Sequence, residues 1–159
     1  MSDIDEYNAI GSKIIGAAFE VRKTAGKGLQ ERFYEAAFVY ELRERGLDVK
    51  TQVMIPAIYK GVKVEDSYQA DIVVNDKVII ELKAVGYMSE TECRQLITYL
   101  KLSHFKLGYL INFGANDFCI GHTNERLPYK KGIYRFANTL EDGNLRYPHF
   151  RIVNQNQGQ

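Results

Sequence analysis

Hydrophobic residues recur with the spacing of a helix over the first 45 residues. Between residues 6 and 24 they fall three or four positions apart and predict an amphipathic helix. The apolar positions of this helix are Ile10, Ile14, Ala17, Ala18 and Val21. After a glycine-containing break, a second pattern continues to Arg45, where Gly46 provides a helix stop. Its apolar positions are Leu29, Phe33, Ala36, Ala37 and Tyr40. Two helices are therefore predicted, and Leu29, Phe33 and Ala37 are expected to face the core.

The pattern then changes to short runs rich in β-branched residues. Residues 49–59, 62–74 and 78–85 predict three strands, separated by short turns at residues 60–61 and 75–77. An irregularity in the second strand is expected near Asp66 and Ser67. Because the connecting turns are short, the three strands are predicted to form an antiparallel meander.

One more helix is predicted after the meander. Residues 89–92 have the form of a capping box, in which the Ser89 hydroxyl accepts from the backbone and Glu92 reaches back, so the helix continues to about Ser103. Residues 107–113 and 118–122 predict two further strands. The order ααβββαββ describes a mixed α/β fold, with a central mixed β-sheet flanked by helices. A single domain is predicted over residues 1–153, and the polar residues 154–159 are predicted to be a disordered tail.

Charge and cysteine content exclude several classes of protein. The 159 residues carry 21 Lys and Arg against 20 Asp and Glu, a formal net charge of +1, which argues against a protein that binds nucleic acid by bulk charge. Two cysteines are too few for a disulfide framework or a four-cysteine metal site. The N-terminus is acidic where a signal peptide would be basic, and no apolar run approaches the ~18 residues of a membrane span. The sequence therefore predicts a cytoplasmic protein with no membrane partner.

The most informative polar residues lie on the second and third predicted strands. If these strands pair across a three-residue loop centred on Asp76, Asp71 lies opposite Glu81. Their Cβ atoms would be about 4.5–5.5 Å apart, where like charges are destabilising unless a cation lies between them. Lys83 projects from the same side of its strand as Glu81. A one-residue change in the turn would make the contact between the two carboxylates diagonal.

Two explanations of these charges remain open. Glu81 and Lys83 could alternate on a solvated strand face, which is the usual position of charged residues in strands. However, Val78, Ile79 and Ile80 form a continuous apolar run, as in a strand covered on both faces, so charges at its end need a reason. Two carboxylates suit Mg²⁺, with Mn²⁺ expected to substitute for it. Lys83 could then orient or help to deprotonate the attacking water and offset charge on a phosphate.

Polar residues on two predicted helices could complete such a site. Glu31 and Tyr34 lie three residues apart on one face of the second helix. Gln95 and Tyr99 lie one turn apart on the helix that follows the third strand. Glutamine and tyrosine at such positions more often pack at the rim of a helix than act in a site. Their occurrence together with the strand carboxylates is less expected by chance than any one of them.

At these positions the sequence resembles the GxxExxY group of the PD-(D/E)xK nuclease superfamily, in its RecB-like branch. Gly28, Glu31 and Tyr34 match the motif that names the group. Residues 68–74 resemble its Y-x-A-D strand, residues 81–83 its E-x-K motif and residues 95–99 its Q-x-x-x-Y motif, and the match continues through residues 110–114. The resemblance covers about residues 10–114. It implies a restriction-endonuclease-like fold.

The resemblance also implies roles for individual residues. Lys83 corresponds to the catalytic lysine of the superfamily. The carboxylates expected at the metal are Asp71, Glu81 and Glu31, of which Glu31 supports the metal site or its water. The residues expected to contact the substrate or brace the site are Tyr34, Gln95 and Tyr99.

Three functional hypotheses follow. The first is a Mg²⁺-dependent nuclease that hydrolyses phosphodiester bonds of nucleic acid, with DNA as the expected substrate. The second is a catalytically silent module that keeps the fold and binds nucleic acid or a protein. The third is a junction-resolving homodimer, which predicts self-association and a preference for branched DNA.

Overall fold

The computed structural model describes residues 3–137, without the side chains of Asp3, Leu102 and residues 65–67. The helices are α1 (Asp3–Ala25), α2 (Glu31–Glu44) and α3 (Glu90–Leu102). The strands are β1 (Val49–Tyr59), β2 (Val62–Val74), β3 (Val78–Lys83), β4 (Leu107–Asn112), β5 (Asp117–Ile120) and β6 (Lys131–Ala137). No helix within the described range has both the length and the apolar composition needed to cross a membrane. The predicted domain boundary at residue 153 and the predicted tail lie outside the described residues.

The six strands form one mixed sheet in the order β1-β2-β3-β4-β6-β5. β1, β2 and β3 are antiparallel neighbours, which confirms the predicted meander. The pairing of β1 with β2 shifts register opposite residues 63–68, where the irregularity was expected. β3 and β4 are parallel, and α3 provides the crossover connection between them.

Helices cover both faces of this sheet. α1 and α2 pack on one face, over a core that includes Ile14, Phe38 and Ile80. α3 packs on the other face, over a core that includes Ile79 and Leu96. β3 therefore sends alternate side chains into two separate cores, which explains its continuous apolar run. This arrangement confirms the expected restriction-endonuclease-like fold.

The capping box predicted at the start of α3 is present. The Ser89 side chain accepts from the Thr91 N–H at 3.3 Å, and the Glu92 carboxylate accepts from the Ser89 N–H at 2.9 Å. These bonds satisfy backbone donors that the first helical turn leaves unpaired. They fix where α3 begins, and six residues separate this point from the end of β3.

The sequence pattern missed β6. This strand lies between β4 and β5 in the sheet, antiparallel to β4 and parallel to β5. The predicted order ααβββαββ is therefore short of one strand. Four of the seven β6 residues are buried and none is exposed. Because the consecutive residues Ile133 and Tyr134 are both buried, the strand lacks the polar and apolar alternation that marks a half-exposed strand.

The predicted buried face of α2 is wrong. Leu29 is 41% exposed and Phe33 is 48% exposed. The side chains that this helix buries completely are Tyr34, Phe38 and Leu42. They form a stripe one position away from the predicted one, and both stripes have the same four-residue period. Periodicity alone therefore does not separate them; packing against the sheet does.

Candidate active site

The ends of β2 and β3 bring two carboxylates together. Ile72 pairs with Ile80, which confirms the predicted register and makes Asp71 and Glu81 the next opposed positions. Asp71 Oδ2 accepts from the Leu82 N–H at 2.9 Å, and the Asp71 N–H donates to Glu81 Oε1 at 3.4 Å. Beyond the Ile72–Ile80 pair, the two side chains take the place of backbone carbonyls as acceptors for the Asp71 and Leu82 N–H groups. The carboxylates are thus fixed by the strands that carry them.

Glu81 is buried at the end of an apolar strand, with only 5% of its surface exposed. Burial and the charge of Asp71 raise the pKa of Glu81 to about 7, although hydrogen bonds from the Tyr68 hydroxyl and the Asp71 N–H favour the ionised form. Within residues 3–137 neither carboxylate forms a salt bridge. Among the residues that the structure describes, no ion pair therefore neutralises the negative charge of Asp71 and Glu81.

Asp71 and Glu81 fit a divalent cation. Both offer carboxylate oxygens, the ligands that Mg²⁺ and Mn²⁺ prefer, and a cation would offset the charge that burial makes costly. A third carboxylate does not join them. Across the described part of the chain, no three His, Cys, Asp or Glu side chains lie close enough together to hold a metal ion. Among the described residues, Asp71 and Glu81 are therefore the two carboxylates that the strands bring together here, and Glu31 is not grouped with them.

Lys83 lies among several carboxylates. It is half-buried at the end of β3, and its charge favours the ionised forms of Glu81 and Glu92. Burial raises the pKa of Glu31, the Lys83 ammonium opposes that rise, and the charge of Asp71 adds to it. Glu31, from the first turn of α2, therefore lies within the electrostatic field of the strand residues. The structure therefore brings Glu31 close enough to Lys83 and Asp71 for their charges to act on it, but does not group it with the carboxylates of Asp71 and Glu81.

Gln95 and Tyr99 reach the carboxylates through Tyr68. Gln95 Nε2 donates to the Tyr99 hydroxyl at 3.1 Å, and the Tyr99 ring stacks on the Tyr68 ring with an interplanar angle of 13°. The Tyr68 hydroxyl in turn donates to Glu81 Oε1. α3 therefore braces Glu81 from the side of the sheet opposite to α1 and α2.

Tyr68 was not among the predicted site residues. Its side chain is only 3% exposed, and its hydroxyl is the side-chain donor to Glu81. A buried carboxylate requires such a donor, because an unpaired buried charge is costly. That requirement was the available signal, but the identity of the donor depends on how β2 pairs with β3.

Tyr34 lies in the core. It has no exposed surface, and its ring stacks on Phe113 with centroids 4.9 Å apart. Its hydroxyl donates to the Gly26 carbonyl at 2.6 Å and accepts from the Leu29 N–H at 3.1 Å. The geometry therefore gives Tyr34 a supporting position and does not support the expected contact with substrate.

Gly28 and Tyr34 together shape the turn that precedes Glu31. Gly28 has a φ of +98°, a backbone conformation that side chains with a Cβ rarely adopt. Lys27 of this turn donates to the Asn116 side chain, and Arg22 in the last turn of α1 donates to the Ala115 carbonyl, so both contact the β4–β5 loop. The spacing of the G-x-x-E-x-x-Y motif thus has a structural explanation, since its first and last residues position the glutamate between them.

We expect Tyr34→Phe to lower the free energy of unfolding by about 1–2 kcal/mol, because the Leu29 N–H and the Gly26 carbonyl lose their partner. Urea denaturation measures the change. The matched control is Tyr40→Phe on the same helix, where the ring is 61% exposed and the change should stay within about 0.5 kcal/mol. Equal stability of the two variants would contradict a supporting role for the Tyr34 hydroxyl.

The residues of this site all lie within a range that matches a known protein family. A family model described as the PD-(D/E)XK nuclease superfamily matches residues 8–122 of the chain. The matched range contains both strand carboxylates, Lys83, the turn before α2 and all of α3, whereas β6 lies beyond it. A search of curated proteins and a search of solved structures each gave no match.

Proposed function

Because the chain belongs to the PD-(D/E)XK nuclease superfamily, we propose that it is a metal-dependent nuclease that hydrolyses phosphodiester bonds of nucleic acid, with DNA as its substrate. The carrying observation is the pair formed by half-buried Asp71 and buried Glu81, which has no ion-pair partner among the described residues and lies where β3 presents Lys83. The motif resemblance supports placement in the GxxExxY group of the RecB-like branch.

Asp71 and Glu81 would hold the metal ion, which we propose to be Mg²⁺, with Mn²⁺ as a substitute. When bound, the ion supplies a Lewis acid for the phosphate and lowers the pKa of a bound water. The protein orients the two ligands beforehand. The Leu82 N–H holds Asp71 Oδ2, and the Tyr68 hydroxyl holds Glu81 Oε1, so both carboxylates have one oxygen anchored.

Lys83 would act on the phosphate and on the attacking water. Its ammonium, two residues after Glu81 on the same side of β3, would donate to a phosphate oxygen and offset the charge that develops there. Glu31 approaches from α2 and would accept a hydrogen bond from the water, which keeps the water aligned for attack. Gln95 is exposed beside Tyr99 and would contact the substrate on the α3 side of the site.

The test combines cleavage with metal binding. Wild-type protein is incubated with single- and double-stranded DNA and RNA in Mg²⁺, Mn²⁺ or EDTA, and we expect cleavage only with metal. Calorimetry should detect Mn²⁺ binding to the wild type and its loss in Asp71→Asn. The matched control, Asp76→Asn in the exposed β2–β3 turn, should bind as the wild type does.

The silent module predicts a different outcome. No Mg²⁺ or Mn²⁺ binding, together with DNA binding that is indifferent to Glu81→Ala, would favour that module over a nuclease. Metal-dependent cleavage that persists in Asp71→Asn would instead support a nuclease, but it would contradict the proposal that Asp71 and Glu81 hold its metal ion.

A further inference from the structure

Asn112, at the end of β4, lies beside Lys83 and is completely buried. The parallel register of β3 and β4 pairs Lys83 with Asn112. Ile79 and Leu110 belong to the core under α3, so strand alternation places Lys83 and Asn112 on that same face of the sheet. A neutral amide therefore lies next to the lysine of the proposed site.

The Asn112 side chain joins the ends of the two strands. Its Oδ1 accepts from the Val85 N–H and from the Gly114 N–H, each at 3.0 Å. The Phe113 N–H donates to the Lys83 carbonyl at 2.9 Å. The backbone on both sides of Ala84 is thus tied to the end of β4, which fixes the direction in which the chain leaves Lys83.

Gly114 permits this close approach. A Cβ at this position would overlap the backbone of Val85 and Ala84, so the two segments meet without an intervening side chain. The asparagine, the glycine and the segment after β3 form one clamp, which we define as Asn112, Gly114 and Val85.

The clamp carries a cost in stability. Asn112 Nδ2 is buried and has no hydrogen-bond partner within residues 3–137. A buried donor without a partner lowers the stability of the fold. Asn112 therefore uses its Oδ1 to hold two backbone N–H groups beside the proposed catalytic lysine, while its Nδ2 donor has no partner among the described residues.

We propose that Asn112 is a positioning residue for the reaction: its Oδ1 holds the end of β3 so that the Lys83 ammonium meets the phosphate. The inference rests on the proposed nuclease function. Asn112 itself does not contact the substrate, and its effect passes through the backbone of Val85. Because a displacement of about 1 Å in a reacting group can lower a rate about 100-fold, loss of the clamp should act on the chemical step.

Three variants separate positioning from a general loss of stability. Asn112→Leu removes the acceptor oxygen, and we expect kcat to fall about 10- to 100-fold with KM within about twofold of the wild type. Asn112→Asp keeps an acceptor oxygen and should restore most of the lost kcat. Phe136→Leu is the matched control, because it destabilises the core under α3 at a residue paired with Gly108, at the far end of β4; its kcat should not change.

A second measurement does not depend on cleavage. In the metal-free protein, Asn112→Leu should speed amide hydrogen exchange at Val85 and Gly114 and shift the ¹³Cε resonance of Lys83, and Asn112→Asp should reverse both changes. Wild-type kcat in Asn112→Leu, or an unchanged Lys83 resonance, would overturn the proposal. If the wild type cuts no nucleic acid, the proposed function fails, and the Lys83 resonance alone then decides whether Asn112 positions this side chain.

Discussion

Replacing Lys83 with methionine is expected to lower the rate of cleavage by about 100- to 1,000-fold, whereas metal binding is retained. Methionine keeps an unbranched side chain of similar length but has no charge and no donor. The variant therefore loses the group that would stabilise the phosphate and orient the water. The metal ligands proposed, Asp71 and Glu81, are unchanged, so calorimetry should give Mn²⁺ affinity close to that of the wild type.

Single-turnover cleavage at saturating metal measures this effect on the chemical step. Lys106→Met is the matched control, because Lys106 is exposed and precedes β4 at the end of the strand opposite to Asn112. Its rate should stay within about twofold of the wild type. A Lys83→Met protein that folds, binds metal and cuts at the wild-type rate would remove Lys83 from the mechanism.

Glu81→Gln is expected to stabilise the metal-free protein at pH 8 by about 2 kcal/mol, or about 4–8 °C in Tm. Burial and the charge of Asp71 raise the pKa of Glu81 from its ordinary value of 4.5 to about 7. A carboxylate in such surroundings opposes folding when it is ionised. Glutamine removes the charge and keeps an acceptor for the Tyr68 hydroxyl. This residue is therefore a cost to stability that the proposed metal binding would offset.

The pH dependence follows from the direction of that shift. Between pH 4.5 and about 7 the folded protein keeps a proton on Glu81 that the unfolded chain has released, so this residue lowers stability as pH rises through that window. The full penalty, at most about 3 kcal/mol, applies above pH 7. The advantage of Glu81→Gln should thus be present at pH 8 and vanish near pH 4.5.

Thermal unfolding in EDTA at pH 5 and pH 8 tests the prediction, with Glu44→Gln as an exposed control on α2 that should change stability by less than about 0.5 kcal/mol. Added Mn²⁺ should raise the Tm of the wild type at pH 8 and leave that of Glu81→Gln almost unchanged. If Glu81→Gln is less stable than the wild type at pH 8, interactions within the fold already offset the cost of the buried Glu81 charge. The metal site would then have to lie elsewhere.

Local sequence signals predicted the elements that carry the site. The short turn at residues 75–77 fixed the pairing of β2 with β3, and with it the opposition of Asp71 and Glu81. The capping box at Ser89 marked the start of α3. Each of these features depends on residues close together in the chain, whose geometry is set by turn length, hydrogen-bonding side chains and strand alternation. Such features need no information about distant packing.

Distant packing decided the rest. Two stripes of α2 have equal periodicity, and contact with Phe113 buries the one that contains Tyr34 and leaves Phe33 exposed. Tyr68 became the donor to Glu81, and Asn112 the neighbour of Lys83, because strand pairing joins residues far apart in the sequence. β6 was missed since both its faces are covered, which removes the polar alternation of a half-exposed strand.

The sequence by itself therefore determined which residues could form a charged site and on which strands they lie, because periodicity and turn length act within a few residues. Only the tertiary structure decided which of them meet. It buried Tyr34 in the core, made Tyr68 the hydrogen-bond donor to Glu81 and brought Glu31 within the electrostatic field of Asp71 and Lys83. The physical reason is that burial, and the hydrogen bonds and pKa shifts that burial requires, depend on the contacts between elements that a linear pattern does not contain.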